Sequence, residues 1–146
     1  MATVRAMTLD DLKEVYEIEL VSFRIPWTLE AYEKEVAEND LAHYFVAEEK
    51  GKILGFIGMW HILDEGHITN CAVAEDCRRM GIGNLLMLHT LDFARSRGIS
   101  AVTLEVNINN LKAQKLYTKN GFIMEGIRKN YYAETKEDAL IMWKRF

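Results

Sequence analysis

The chain has 146 residues, 49% of them hydrophobic and 27% charged, with a formal net charge of −4. That is the profile of one globular domain spanning residues 1–146, with room for a core that needs neither disulfides nor metals, and its acidic balance argues against a general nucleic-acid binder. The two cysteines, Cys71 and Cys77, have no C-x-x-C spacing and read as reduced thiols; no apolar run approaches the roughly 20 residues of a membrane span and MATVRAMTLDD has no signal-peptide core, so a cytoplasmic protein off the membrane is expected.

In chain order, TVRAM alternates and is short, as suits an edge strand. Thr8 then caps a helix whose first turn carries Asp10 and Asp11, with Leu9, Leu12, Val15 and Ile18 as its apolar stripe. Pro26 breaks it, and Thr28 caps a second helix over residues 29–38. HYFVAEE and KILGFIGMWHIL are strands joined by a turn at Lys50-Gly51, and GHITNCAVAE is a third. Residues 81–97 form a long helix ended by Gly98. The strand SAVTLEVNI follows, then a helix capped by Asn110 that runs through Lys119 and ends at Gly121, then the strands FIMEGIRKNYY and DALIMWKRF. The order β-α-α-β-β-β-α-β-α-β-β predicts an antiparallel meander, then right-handed crossovers. The fold class is α/β (α+β), a central mixed, mostly antiparallel twisted sheet with helices on both faces.

DCRRMGIGNLLMLH places two arginines and a Gly-x-Gly at a helix start. The first backbone N–H groups of a helix have no intrahelical partner, and the dipole favours an anion there. Gly81 and Gly83 permit close approach and unusual dihedrals, and Arg78 and Arg79 add positive charge, so a phosphate or pyrophosphate is one reading and a ligand-free helix start the other. No Lys-Ser or Lys-Thr follows for a P-loop, and Leu86 stands where a Rossmann fingerprint needs glycine.

Glu105 sits in LEV between two apolar residues, so it faces opposite to them, toward either solvent or a cleft that would make it a working base. Asn110, Ala113 and Tyr117 share one helical face. Tyr117 fits a core ring or a phenol that donates a proton. His43, His61, His67 and His89 have no metal-ligand spacing, His61 and His67 flanking a hairpin as a surface pair; no metal is expected.

RRMGIG followed by LEV, NN and LYTKNGF resembles the GNAT superfamily of N-acetyltransferases over essentially the whole chain. LEV, the Asn-to-Tyr helix, EDALIM and FRIPWT resemble its RimI-type branch of protein N-terminal acetyltransferases, with their archaeal relatives. The resemblance implies the GNAT fold and acetyl-CoA as cosubstrate. Cys71, Ala72 and Val73 would lie along the acetyl and pantetheine arm through backbone contacts. Arg78, Arg79, Gly81, Ile82, Gly83 and Asn84 would hold the pyrophosphate, and Asn110 would touch the cofactor. Glu105 would be the general base and Tyr117 the general acid. Pro26 and Trp27, beside Phe23 and Ile25, with Tyr131 and Tyr132, would line the acceptor slot; a plug between helices is the other reading of Trp27, and ordinary hairpin surface that of the tyrosines. Lys112, Lys115 and Lys119 are either neighbours of the cofactor or a solvated helix face. Many members carry Arg after LEV; here it is Asn107.

The reaction so implied is direct attack of a neutral amine on the thioester. An α-amine with pKa about 7.7–8.0 is roughly 10–15% neutral at pH 7, and a lysine with pKa about 10.4 is about 0.04% neutral, which tilts the acceptor toward a protein N-terminus. The alanine end of ribosomal protein S18 is one candidate, with a ribosomal protein or a further subunit as partner. A GNAT enzyme acting on lysine or a small amine, and an inactive CoA-binding domain, are the alternatives.

Overall fold

The computed structural model describes residues 1–23 and 26–146. Its strands are β1 (Thr3–Ala6), β2 (Ala42–Glu49), β3 (Lys52–Ile62), β4 (Glu65–Val73), β5 (Ala101–Asn107), β6 (Ile123–Tyr132) and β7 (Glu137–Arg145). Its α-helices are α1 (Leu12–Ser22), α2 (Leu29–Glu38), α3 (Ile82–Ser96) and α4 (Leu111–Lys119). The strands form one sheet in the order β1-β2-β3-β4-β5-β7-β6. Among the described residues, only β4 and β5 pair in parallel. The predicted class therefore stands, with β1 on an edge and a meander through β4. The second crossover differs in one respect: α4 delivers β6 one place beyond β5, and β7 returns to fill the gap.

Local signals set most boundaries. Thr28 Oγ1 accepts from the Ala31 N–H (3.1 Å) and Asn110 Oδ1 from the Ala113 N–H (3.1 Å), so both caps act as their residue types predict. Gly98 stops α3 with φ +77°. The first helix departs from expectation. Residues 9–11 wind as a 3-10 turn, in which the Asp11 carboxylate accepts from the Thr8 N–H (2.8 Å) and from Arg5 (2.8 Å). Leu9 consequently leaves the apolar stripe and stays exposed. β4 ends at Val73, and residues 75–77 form a 3-10 turn in place of the expected strand end.

Each face of the sheet carries a core. Under α3 and α4 lie Ile57, Leu86, Met87, Leu91 and Val102. Under α1 and α2 lie Val15, Tyr32, Val46 and Phe56. His61 and His67 do not form the expected surface pair. His61 is opposite Gly66 and His67 opposite Trp60, adjacent rungs whose side chains leave by opposite faces. The His61 ring lies 6.3 Å from that of His43, and His67 Nε2 lies 3.2 Å from Glu65 Oε1.

Two irregularities shape the site. β4 and β5 pair only over Glu65–His67 and Ala101–Thr103 and separate beyond those rungs. Within β4, Gly58 faces Asn70 while Met59 faces Ile68, so Thr69 is an extra residue, a β-bulge. The bulge exchanges the faces: Ile68 packs in the α3-side core and Ala72, four positions on, in the α1–α2 core.

Candidate active site

Where β4 and β5 separate, a cleft of about 560 Å³ opens. Cys71 reaches it from β4, Glu105 from β5, and Asn110 and Tyr117 from α4. Trp27, between α1 and α2, and Tyr131 and Tyr132, at the end of β6, complete the walls.

Glu105 takes its place by alternation. Leu104 and Val106 are buried in the α3-side core, and Glu105 projects into the cleft. Its Oε1 lies 3.4 Å from Arg128 Nε of β6. The Arg128 guanidinium also stands 6.0 Å from the Tyr131 ring. The two tyrosines meet edge to face at 5.1 Å. Burial first, then the Tyr131 and Glu105 charges, push the Tyr132 phenol up to about 12.

Tyr117 is a core ring at the border of the cleft. Its ring packs in the core, 5.9 Å from Phe122, and it also lines the cleft. Burial, with Cys71 and Tyr132 nearby, holds the phenol well above its ordinary value, so it stays protonated. Burial likewise pushes the Cys71 thiol up to about 12. A thiol so protonated is a poor nucleophile. Both cysteines are free.

The Gly-rich turn lies outside these cleft walls, at the start of α3. Gly81 is the N-cap of α3 with φ +79°, in the left-handed region, and a Cβ there would meet nothing within 4 Å. Arg79 is also left-handed, at φ +69°. Arg78 and Arg79 are exposed, and Arg78 Nε donates to the Val73 carbonyl (3.3 Å). Gly83 serves a different purpose, since its Cβ would stand 3.3 Å from Leu116 Cδ2 and its absence lets α3 and α4 approach. Asn84 Oδ1 accepts from Asn120 Nδ2 (2.9 Å), a second tie between those helices. The side chains of Ile82 and Ala72 are in the two cores, so only their backbones are available to a ligand. An open helix start with free backbone N–H groups, a left-handed glycine and two exposed arginines fits a pyrophosphate. Lys112, Lys115 and Lys119 are exposed.

Trp27 is both wall and plug: it lines the cleft and packs 5.2 Å from the Tyr32 ring. Pro26 is half-buried beside it and does not line the cleft, and Ile25 lies outside the described residues. Asn107 lines the cleft but turns its Oδ1 to the Asn109 N–H (2.8 Å). The cation beside Glu105 comes from Arg128 instead, two strands away. Sequence reasoning also passed over Glu19 and Asn70, which line the cleft and are buried. Among the described residues no group of His, Cys, Asp and Glu is gathered as a metal-ligand set, and no helix is long and apolar enough to cross a membrane.

The model of the acetyltransferase (GNAT) family matches residues 12–122. The chain belongs to the GNAT family. This GNAT protein is 42% identical, over 97% of its own length and 94% of the relative, to a Bacillus subtilis protein provisionally named a ribosomal protein bS18-alanine N-acetyltransferase. It is 36% identical to the Escherichia coli ribosomal protein bS18-alanine N-acetyltransferase, over 97% of this chain and 96% of that one. Among solved structures, the ribosomal-protein-S18-alanine N-acetyltransferase of Escherichia coli superposes with a TM-score of 0.92 at 33% identity, covering 99% of this chain and 94% of that one. An Ard1 structure from Thermoplasma volcanium gives 0.89 at 29% identity, covering 99% and 97%.

Proposed function

We propose that this GNAT protein transfers the acetyl group of acetyl-CoA to the α-amine of a protein N-terminus, the alanine end of a ribosomal protein foremost. The observation that carries the proposal is the entry of Glu105 and Tyr117 into one cleft, from β5 and α4, where β4 and β5 part. The names of the Bacillus and Escherichia relatives support the acceptor class.

Acetyl-CoA supplies a thioester carbonyl as electrophile. Arg78, Arg79 and the backbone of residues 81–84 hold its pyrophosphate, and the backbone of residues 71–73 runs beside its acyl arm, with Asn110 at the mouth. Glu105 takes a proton from the incoming amine, through a water, as the nitrogen attacks. Tyr117, held protonated by burial, gives a proton to the departing sulfur. Backbone donors on the part of β4 that lacks a β5 partner stabilise the charge on the carbonyl oxygen. No protein nucleophile is needed, in keeping with a thiol at Cys71 that stays protonated. Trp27, Tyr131 and Tyr132 line the slot for an extended chain.

The test uses acetyl-CoA, mass spectrometry and two peptides. One has a free alanine N-terminus and no lysine; the other has a blocked N-terminus and one free lysine. Acetylation of the first alone is expected. Acetylation of the second alone would replace this reading with a lysine acetyltransferase, and modification of neither would exclude a peptide acceptor of these classes.

A further inference from the structure

Glu19 is a buried carboxylate for which the chemistry above has no use. It lies on α1, 1% exposed, at the edge of the cleft. Among the described residues, its side chain accepts from three neutral donors on three different segments. The Tyr32 hydroxyl of α2 donates to Oε1 (2.5 Å), the Trp27 backbone N–H donates to Oε2 (2.8 Å), and Asn70 Nδ2 of β4 donates to Oε1 (3.4 Å). Burial, then this carboxylate, hold the Tyr32 phenol well above its ordinary value, so it stays a donor.

The partners are not scattered over the fold. Trp27 belongs to the aromatic wall of the slot, and Asn70 stands between the bulged Thr69 and Cys71 on the strand beside the reacting centre. We propose that Glu19 is a positioning residue for the acceptor: it ties the backbone at Trp27 to Asn70, so that an N-terminus entering past Trp27 meets β4 at a fixed offset. The inference rests on the acceptor reading above. The cost of this orientation is visible. With Nδ2 committed to Glu19, Asn70 Oδ1 is buried without a hydrogen-bond partner among the described residues. A residue kept only for folding would be expected to leave no such orphan beside it.

Glu19→Gln separates positioning from folding. The replacing amide keeps the shape, can still accept from the Trp27 N–H, and can donate to the Tyr32 oxygen and to a flipped Asn70. The fold is therefore retained, but each bond loses its charged acceptor, roughly half of its strength, and the tie to Asn70 survives only if that amide flips, so the offset between Trp27 and Asn70 is no longer fixed. The expected result with the lysine-free alanine peptide is a KM at least tenfold higher. The kcat at saturating peptide should stay within threefold and the acetyl-CoA Kd within twofold. Hydrogen exchange at the Trp27 amide should accelerate. An unchanged KM overturns the proposal, as does a parallel loss of acetyl-CoA affinity, which would mark general damage. Should Glu19→Gln fail to fold, Asn70→Ala cuts only the tie to β4; the same rise in KM is expected, and its absence is equally decisive. A wild-type protein that leaves the alanine peptide untouched defeats the α-amine reading alone. The tie is then judged on Trp27 exchange, where an unchanged rate in Glu19→Gln overturns it.

Discussion

Tyr117→Phe removes one oxygen and leaves the ring. That ring sits 5.9 Å from Phe122 in the α3-side core, and the Tyr117 hydroxyl makes no hydrogen bond to a described residue. The variant therefore keeps the ring packing and loses no hydrogen bond to a described residue, and its stability should change by less than about 1 kcal/mol, a Tm shift of at most about 2–4 °C at this chain length. The chemical consequence is far larger. Delivery of a proton by a placed acid is worth roughly 10²–10⁴-fold in rate, or about 3–5 kcal/mol of barrier. Release of free CoA thiol, followed against a lysine-free alanine peptide, reads kcat directly; a thermal melt of the same preparation reads stability. Because burial raises the Tyr117 phenol, its protonated, competent form persists to higher pH than an ordinary tyrosine's. The wild-type rate should accordingly show no fall from this group at or below pH 10, the ordinary tyrosine value. A folded variant with kcat within threefold of wild type would refute the assignment, and one that melts far lower with proportionate loss of activity would make Tyr117 a core residue only.

Gly81→Glu puts a side chain and a negative charge at an open, left-handed helix start. Its acetyl-CoA affinity by calorimetry should fall at least tenfold, and wild-type affinity would remove the pyrophosphate from this turn. Asp11→Asn tests the network that shapes the first helix. The Arg5 guanidinium holds the Asp11 carboxyl below its ordinary 3.8 against burial, the next largest effect, and the Thr8 N–H adds a smaller lowering. A lowered folded value means that the stabilisation is complete above the ordinary value and disappears as the pH falls through the folded one. Melting at pH 7 should drop in the variant and the gap to wild type should close toward pH 2; a gap independent of pH would mean that the charge is not what matters.

The parts of this molecule that could be read from its sequence are those governed by near neighbours. Thr28 and Asn110 cap because their side chains reach an N–H three residues on. Gly81 and Gly98 adopt positive φ that other residues resist. Glu105 faces the cleft because a strand alternates. The remainder depends on distances along the chain that periodicity does not carry. Arg128 meets Glu105 only because β7 inserts between β5 and β6. Glu19 and Asn70 are 51 residues apart, and neither looks unusual where it stands. The bulge at Thr69 has no glycine or proline next to it along the chain; the glycine that borders it, Gly58, lies on β3. The Gly-x-Gly pair was legible as a unit, yet its members divide the labour: Gly81 shapes the turn, and Gly83 admits Leu116.

The separation of β4 from β5 makes this sheet two plates riveted at one end. The rivet is short, Glu65–His67 against Ala101–Thr103. The gap between the plates at the far end therefore depends on the angle at which the two strands leave that pairing. At the rivet itself stands Gly66, where a Cβ would press Met59 Sδ at 2.7 Å and Val102 Cγ2 at 3.3 Å. Bulk added there would act as a wedge at the pivot, altering how wide the working gap stands without changing a single residue that faces it.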